Sequence, residues 1–157
     1  MADVALRPVV DSDLPAIFDM MRDPEAVRMA AFTADDPSDR PAFDAHMVRL
    51  RTSPEITMRA ITVDGRLAGT IASFAVDGDT EVTYWLDRAA WGQGIGSRAL
   101  ALLLDLVRRR PLYARAAADN AGSLRVLAKA GFRVIGEERA YASARGAEIT
   151  EKVLRLG

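Results

Sequence analysis

The spacing of hydrophobic residues changes character twice along the chain. Between residues 12 and 52, apolar side chains recur three and four positions apart, which is typical of amphipathic helices. From residue 56 to 86, short runs rich in β-branched and aromatic residues are separated by the turn sequences Asp64-Gly65 and Asp77-Gly78-Asp79. Helical spacing then returns after a glycine-rich loop. The pattern predicts helices first, then an antiparallel meander of three strands, then alternating elements.

The individual elements follow from these periods and from turn and capping residues. We predict a strand at 4–9, a helix capped by Ser12, a short helix from Pro24, a helix capped by Ser38, strands at 56–63, 67–76 and 80–86, a helix ended by Pro111, a strand at 112–117, a helix at 120–129, and strands at 132–137 and 149–156. This order predicts an α+β fold with one mixed sheet of about seven strands and helices on both faces.

Composition narrows the class of protein. The 157 residues predict a single domain spanning 1–157, and 50% hydrophobic residues are enough for a sizeable core. The formal net charge of -1 argues against a nucleic-acid partner. The absence of cysteine excludes disulfides, thiolate metal sites and a cysteine nucleophile, and His46 is the only histidine, so we expect no metal site.

The chain also lacks the features of an exported or membrane-bound protein. Its first residues do not have the basic-then-apolar layout of a signal peptide. No apolar run approaches the roughly 20 residues that span a bilayer. We therefore expect a cytoplasmic protein with no membrane partner.

The loop Gly92-Gln93-Gly94-Ile95-Gly96 lies between a predicted strand and a predicted helix. Glycines allow a sharp turn and a close approach of the backbone to a ligand. The amides of such a loop and the positive end of the helix dipole favour an anion, and a pyrophosphate fits that demand. A glycine-rich loop that binds no ligand is the simpler alternative.

A dinucleotide site is a second alternative for the same loop. Gly94-Ile95-Gly96-Ser97-Arg98-Ala99 matches G-x-G-x-x-A, and Asp119 follows the next strand where a ribose-binding acid is expected. However, the preceding strand ends near Leu86, five residues before the loop, and too little chain follows Asp119 for a doubly wound domain. We therefore disfavour this interpretation.

A second motif, Asn120-Ala121-Gly122-Ser123 to Lys129-Ala130-Gly131-Phe132, lies after the next strand. Alone it describes an amphipathic helix with a good N-cap and a glycine C-cap. Together with the glycine loop, it resembles the acetyl-CoA motifs of the GNAT superfamily of N-acetyltransferases. The segments Leu6-Arg7-Pro8, Asp23–Arg28 and Glu81–Leu86 resemble the branch that acetylates the N-termini of ribosomal proteins.

Two residues depart from the superfamily pattern. Trp91 stands where Gln or Arg is usual, although a bulky aromatic residue is familiar in the ribosomal branch. Leu127 stands where the wider superfamily often has a tyrosine that acts as general acid. The usual acid is therefore absent.

The resemblance implies a sheet that splays open between the strand at 80–86 and the strand at 112–117, with the pantetheine of acetyl-CoA in the cleft. A backbone N–H of Glu81–Leu86 would bind the thioester carbonyl like an oxyanion hole. The cofactor-binding residues implied are Trp85, Leu86, Trp91, Gly92, Gln93, Gly94, Ile95, Gly96, Ser97, Asn120 and Ser123.

Two side chains are the candidate catalytic groups. Glu81 would take a proton from the acceptor amine, or else is an ordinary cross-strand charge; Asp79 is a weaker candidate. Ser123 would donate a hydrogen bond to the departing thiolate, or else bonds the backbone at the helix start. His46 is interpreted as a half-buried structural residue, and Tyr141 as a surface residue or an acceptor-site contact.

The predicted function is acetyl transfer from acetyl-CoA to a primary amine by direct attack in a ternary complex. The acceptor is a small-molecule amine or a protein N-terminus, and the protein could form a homodimer. A non-catalytic acyl-CoA-binding or regulatory module is the alternative function.

Overall fold

A computed structural model describes residues 2–157. It contains β1 (Val4–Arg7), α1 (Leu14–Met21), α2 (Pro24–Ala30), α3 (Arg40–Thr52), β2 (Thr57–Val63), β3 (Arg66–Val76), β4 (Asp79–Leu86), α4 (Ile95–Leu106), β5 (Leu112–Ala117), α5 (Ala121–Lys129), β6 (Arg133–Ala142) and β7 (Ala147–Leu156). Single 3-10 turns precede α1 and follow β4. Within residues 2–157, no helix has the length and apolarity needed to span a bilayer.

The seven strands form one mixed sheet in the order β1-β2-β3-β4-β5-β7-β6. Every neighbouring pair is antiparallel except β4 and β5, which run parallel. These two strands pair only at Thr80 with Leu112 and at Glu81 with Tyr113. Beyond Glu81 they diverge, and the sheet opens. The predicted α+β fold with a mixed, splayed sheet is therefore confirmed.

Helices cover both faces of the sheet, and each face has its own core. The larger core packs α4 and α5 on one face; its members include Ile71, Val82, Ile95, Leu100, Leu103, Leu112, Leu127 and Leu154. The smaller core packs α1 and α3 on the other face, with Ile17, Phe18, Phe43, Met47 and Met58. The opening between β4 and β5 therefore lies between two well-packed layers.

The predicted helix caps at Ser12 and Ser38 are wrong. Ser12 lies inside the 3-10 turn before α1, where the Val10 amide donates to Asp13 Oδ2 at 2.9 Å. Asp39 caps α3, because its Oδ1 accepts from the Ala42 amide at 3.0 Å. An ionised carboxylate next to a serine is the stronger acceptor for helix-start amides.

The closing hairpin is longer than its hydrophobic pattern predicts. Strands β6 and β7 remain paired up to Ala142 and Ala147, so Tyr141 lies within β6 and not after it. The outer part of this hairpin is polar, and cross-strand contacts such as the ion pair of Lys152 with Glu137 stabilise it. Periodicity alone does not detect a ladder of this kind.

Candidate active site

The divergence of β4 from β5 creates a cleft of about 520 Å³. Its walls come from the end of β4, the glycine loop, the start of α5 and one side of α2. Because β5 leaves β4 after Glu81, alternate amides and carbonyls on the rest of β4 face the cleft without a neighbouring strand. The exposed strand edge can pair with an extended polar ligand.

The glycine loop presents a set of free backbone amides at one end of this cleft. Gly92 and Gly94 have φ values of 73° and 76°, which favour glycine. The Arg98 amide donates to Gly94 O at 3.2 Å. Within residues 2–157, the amides from Gly92 to Ser97 donate to no acceptor. Because they lie at the positive end of the 12-residue helix α4, they fit a pyrophosphate.

Gly96 contributes to the loop in a different way from Gly94. A Cβ atom at Gly96 would lie 3.4 Å from Leu86 Cδ1, 3.5 Å from Val126 Cγ2 and 3.6 Å from Tyr84 Cε2. A Cβ atom at Gly94 would meet nothing within 4 Å. A methyl group at Gly96 would therefore make ordinary van der Waals contacts with β4 and α5, whereas Gly94 supplies a backbone conformation that favours glycine.

Two side chains at the start of the loop stabilise its conformation through hydrogen bonds to backbone carbonyls. Trp91 Nε1 donates to Leu86 O at 3.2 Å, and Gln93 Nε2 donates to Ala89 O at 2.9 Å. Gln93 and Ser97 do not line the cleft, although their amides belong to the free set, whereas Trp91 does line it. Gln93 and Ser97 would therefore contact a ligand through their backbone amides and not through their side chains.

The two aromatic residues of β4 point to opposite faces of the sheet, and both reach the cleft. Trp85 Nε1 donates to Met20 O at 3.0 Å, which joins the end of α1 to β4. Tyr84 packs against the larger core on the α5 side. Burial raises the pKa of the Tyr84 phenol, and the Ser123 hydroxyl nearby lowers it in part.

The start of α5 forms the opposite wall. Asn120 Oδ1 accepts from the Ser123 amide at 3.2 Å, and Asn120 Nδ2 donates to Met29 O at 3.5 Å. Asn120 therefore caps α5 and also ties it to α2 across the cleft. The Ser123 hydroxyl donates to no backbone carbonyl of residues 2–157, so the local bond expected of a helix-start serine is not formed.

Glu81 lies beside the cleft but does not line it. It occupies the last β4–β5 pair, on the same face of β4 as Trp85. Its Oε2 is 3.6 Å from Arg115 Nε, and Arg115 also contacts Glu138 at 2.7 Å and Glu151 at 3.3 Å. Burial raises the pKa of Glu151, and Arg115 lowers it in part. The Arg115 guanidinium thus forms ion pairs with three carboxylates at the point where β4 and β5 separate.

Asp119 is already engaged by a protein side chain. Arg145 donates to both of its carboxylate oxygens, at 2.8 and 3.1 Å, and to Arg28 O at 2.7 Å. The Arg145 guanidinium keeps the pKa of Asp119 below its ordinary value. The carboxylate expected to bind a ribose in the dinucleotide alternative therefore holds Arg145 of the β6–β7 turn against the β5–α5 connection, and Arg145 also joins this turn to α2.

Several cleft residues were missed by the sequence analysis. Met29 and Ala30 of α2, Tyr84 of β4 and Arg125 of α5 all line the cleft. Arg125 follows Ser123 by two positions, and a cation beside a predicted anion site is a signal that could have found it. Nothing in the local pattern marks Met29 or Ala30, because only the packing of α2 brings them there.

The prediction that His46 is half-buried is wrong. Its side chain is exposed on α3, with Nδ1 2.6 Å from Arg49 Nη2. Partial desolvation and then Arg49 lower the pKa of His46. Among residues 2–157 no group of three or more His, Cys, Asp or Glu residues is arranged to hold a metal ion.

A splayed α+β sheet with an amide-lined loop at its opening has the shape and the donors that an extended phosphorylated ligand requires. The sequence profile described as "Acetyltransferase (GNAT) domain" matches residues 3–133. This chain belongs to the GNAT acetyltransferase family. A comparison with curated proteins finds no match. The predicted family and enzyme class are confirmed.

Solved structures share the whole fold. RimJ of Mycobacterium smegmatis, solved with CoA-disulfide, is 24% identical, with a TM-score of 0.81 and coverage of 98% of this chain and 81% of that one. RimL, a ribosomal L7/L12 α-N-protein acetyltransferase solved with coenzyme A, is 21% identical, with a TM-score of 0.82 and coverages of 98% and 93%. A phosphinothricin acetyltransferase from Sinorhizobium meliloti, solved with acetyl-CoA, is 19% identical, with a TM-score of 0.82 and coverages of 98% and 87%. The predicted cofactor agrees with these ligands.

Proposed function

We propose that this protein transfers the acetyl group of acetyl-CoA to a primary amine by direct attack in a ternary complex. The proposal rests on two features of the cleft that lie next to each other. The unpaired edge of β4 leads directly to the free amides of Gly92–Ser97. A ligand with a pyrophosphate at one end and an amide-rich arm at the other matches this arrangement.

Different parts of the cleft bind different chemical groups of acetyl-CoA. Backbone amides from Gly92 to Ser97 hold the pyrophosphate, and the free edge of β4 toward Trp85 and Leu86 pairs with the pantetheine amides. A β4 amide donates to the thioester carbonyl, whose developing negative charge it stabilises. Arg125 on α5 adds a cation for phosphate oxygens. Acetyl-CoA supplies an activated acetyl group in this site.

Two side chains handle the protons. An amine with a lysine-like pKa of ~10 arrives protonated at neutral pH and needs a base. Glu81 accepts that proton directly or through water. It lies on the α1–α3 face, at the point where β4 and β5 separate. Ser123, on the α5 wall of the cleft, donates a hydrogen bond to the thiolate as it leaves. In this mechanism, a carboxylate on one face of β4 accepts a proton, and a hydroxyl on the other face donates a hydrogen bond to the thiolate.

The acceptor enters beside α2 and the β6–β7 turn. Ser143 Oγ donates to Asp35 at 2.7 Å, and the Ala144 amide donates to Ala31 O at 3.2 Å, so the turn and the segment after α2 are joined. The acceptor is a small-molecule amine or a protein α-amine. RimJ and RimL share this fold, and RimL is a ribosomal α-N-protein acetyltransferase, which favours testing N-terminal peptides first.

The decisive test is CoA binding by calorimetry, followed by acetyl transfer to a panel of amines and N-terminal peptides. Gly94→Ala should weaken CoA binding tenfold or more, about 1.4 kcal/mol, because it disturbs the loop amides. Gly78→Ala is the matched control: Gly78 has a φ of 87° and equally open space, but lies in the β3–β4 turn. It should reduce stability and leave CoA affinity unchanged.

The outcomes separate the candidate functions. Failure of the wild-type protein to bind CoA would refute the proposal. CoA binding without transfer to any amine would favour a non-catalytic acyl-CoA-binding module. Binding of NADH in place of CoA would support the dinucleotide alternative.

A further inference from the structure

Arg115 of β5 lies beside the proposed base, and the proposed mechanism gives it no task. It follows Tyr113, the last β5 residue paired with β4, by two positions, so its side chain lies on the same face of the sheet as Glu81. Its Nε is 3.6 Å from Glu81 Oε2. Among residues 2–157, no other cation forms an ion pair with Glu81. A single guanidinium therefore faces this carboxylate at the point where β4 and β5 separate.

Two carboxylates from other strands hold the far end of this guanidinium. Arg115 Nη1 donates to Glu138 Oε2 at 2.7 Å and to Glu151 Oε1 at 3.3 Å. Glu138 on β6 and Glu151 on β7 are opposite each other in the register of the two strands. The Glu151 side chain is only 12% exposed and has little room to move. Because Nη1 is held from two strands, the Nε edge of the guanidinium stays directed at Glu81.

The contact between Arg115 and Glu81 attracts without forming a hydrogen bond. At 3.6 Å, Nε and Oε2 are too far apart for a hydrogen bond but close enough for an ion pair. The Glu81 side chain is only 14% exposed, so salt and water screen this attraction less than on an open surface. A base needs a free lone pair for the proton that it takes. Arg115 can therefore hold Glu81 in place and leave its oxygens available to an amine.

We propose that Arg115 is a positioning residue that holds the Glu81 carboxylate at the opening between β4 and β5, where it accepts the proton of the acceptor amine. The inference rests on the proposed function. Without the guanidinium, repulsion among the three neighbouring carboxylates would move Glu81 from this position.

The step concerned moves two protons from nitrogen. Glu81 takes one proton from the ammonium, which frees the nitrogen electron pair to bond to the carbonyl carbon. The C–S bond breaks with its electron pair going to sulfur, and the second nitrogen proton goes to the thiolate. Arg115 keeps its protons throughout, because a guanidinium is not deprotonated in proteins. Its effect on turnover therefore depends on the presence of a carboxylate at position 81.

The experiment is a double-mutant cycle between Arg115 and Glu81, measured as kcat with an amine or peptide that the wild-type protein acetylates. Arg115→Met should lower kcat roughly tenfold when Glu81 is present. In the Glu81→Gln background it should lower kcat by less than about twofold, because the carboxylate that it positions is gone. The KM for acetyl-CoA should not change, since the loop amides are untouched. A merely structural role would lower kcat by the same factor in both backgrounds.

Two further variants sharpen the cycle. Arg115→Lys keeps a cation beside Glu81 but loses the planar fork, so its kcat should lie only about threefold below wild type. Arg139→Met is the matched control, because it removes an arginine of β6 that bonds Thr150 and the Glu148 carbonyl of β7. It should leave kcat unchanged in both backgrounds.

The possible failures are distinguishable. A wild-type protein that binds no CoA and acetylates no amine would refute the proposed function itself. Equal losses for Arg115→Met in the two backgrounds would overturn the positioning role alone, while transfer and its dependence on Glu81 remain. If Arg115→Met does not fold, the same cycle with Arg115→Lys decides the matter: a loss confined to the background with Glu81 supports the inference, and equal losses overturn it.

Discussion

The two faces of β4 carry opposite kinds of polar chemistry. On the α5 face, Tyr84 and Ser123 both line the cleft, and both side chains end in neutral hydroxyls. On the α1–α3 face, Glu81 joins Arg115, Glu138 and Glu151 in a charged cluster. A strand places successive side chains on opposite faces, so residues three apart can serve different environments.

The difference suggests how the site separates its tasks. A departing thiolate needs donors that stay protonated, and neutral hydroxyls provide them. An incoming ammonium needs an ionised acceptor, and carboxylates provide it. In the proposed mechanism, the hydroxyl donors and the base therefore act from opposite faces of β4.

The largest effect is expected on the charged face. Glu81→Gln should lower turnover roughly 10²-fold, because the protonated amine loses its base. The loss should shrink at high pH, where the amine arrives neutral, and CoA affinity should persist. The pH–rate profile with one good acceptor measures this.

Glu138→Gln is the control for that variant. Glu138 also contacts Arg115, but its side chain is 57% exposed. It should retain most of the turnover. Normal turnover of Glu81→Gln at every pH would remove Glu81 from the mechanism and leave catalysis to positioning and the β4 amide.

The next effect concerns stability. Arg115→Met should destabilise the fold by about 2 kcal/mol, because it leaves three carboxylates without their cation. This value is reduced for solvent screening, because the guanidinium is partly exposed. Thermal unfolding measures it. Arg139→Met on the exposed side of β6 should cost far less. Equal melting temperatures for the two variants would show that the cluster contributes nothing to the fold.

Glu151 gives this cluster a defined pH dependence. Its pKa is raised in the folded state, chiefly by burial, so its contribution to stability is present at low pH and is lost as pH rises through the folded pKa. Wild type should therefore lose stability relative to Glu151→Gln as pH rises above about 4, the ordinary pKa range of a glutamate. Parallel melting curves for both proteins that keep a constant separation would contradict the burial of this group.

A smaller effect is expected at the α5 wall. Asn120→Ala should cost about 1 kcal/mol of stability through the lost cap. Ser123→Ala should cost little stability, because its amide and not its hydroxyl is used by the cap. In turnover it should lose a smaller factor than Glu81→Gln, and alkaline pH should not rescue it. A Ser123→Ala protein that melts like Asn120→Ala would indicate a structural hydroxyl.

The smallest effect is expected at His46. Because the side chain is exposed, His46→Gln should change neither CoA affinity nor turnover. The lowered pKa of His46 means that wild type loses a little stability as pH falls below about 6.5, and the variant should not show that loss. Melting curves at several acidic pH values test this. A clear loss of turnover would place His46 at the acceptor site.

Local sequence determined much of this protein. Turn residues such as Asp64-Gly65 located the meander, and the glycine loop with the Asn120 motif identified the family and the cleft between β4 and β5. These features depend on neighbours in the chain: glycine conformation at Gly94, an amide cap at Asn120, and the period of the apolar residues.

Tertiary structure alone decided which side chains meet. Arg115 joins Glu81 to Glu151 across three strands, Asp119 is held by Arg145 from the β6–β7 turn, and Tyr84 and Ser123, 39 positions apart, line the same cleft. No local pattern encodes these pairs, because each depends on strand order and register. The sequence predicted that Glu81 and Ser123 would lie near the cleft, but only packing assigned them to opposite faces, since the sheet order fixes which helices cover each side.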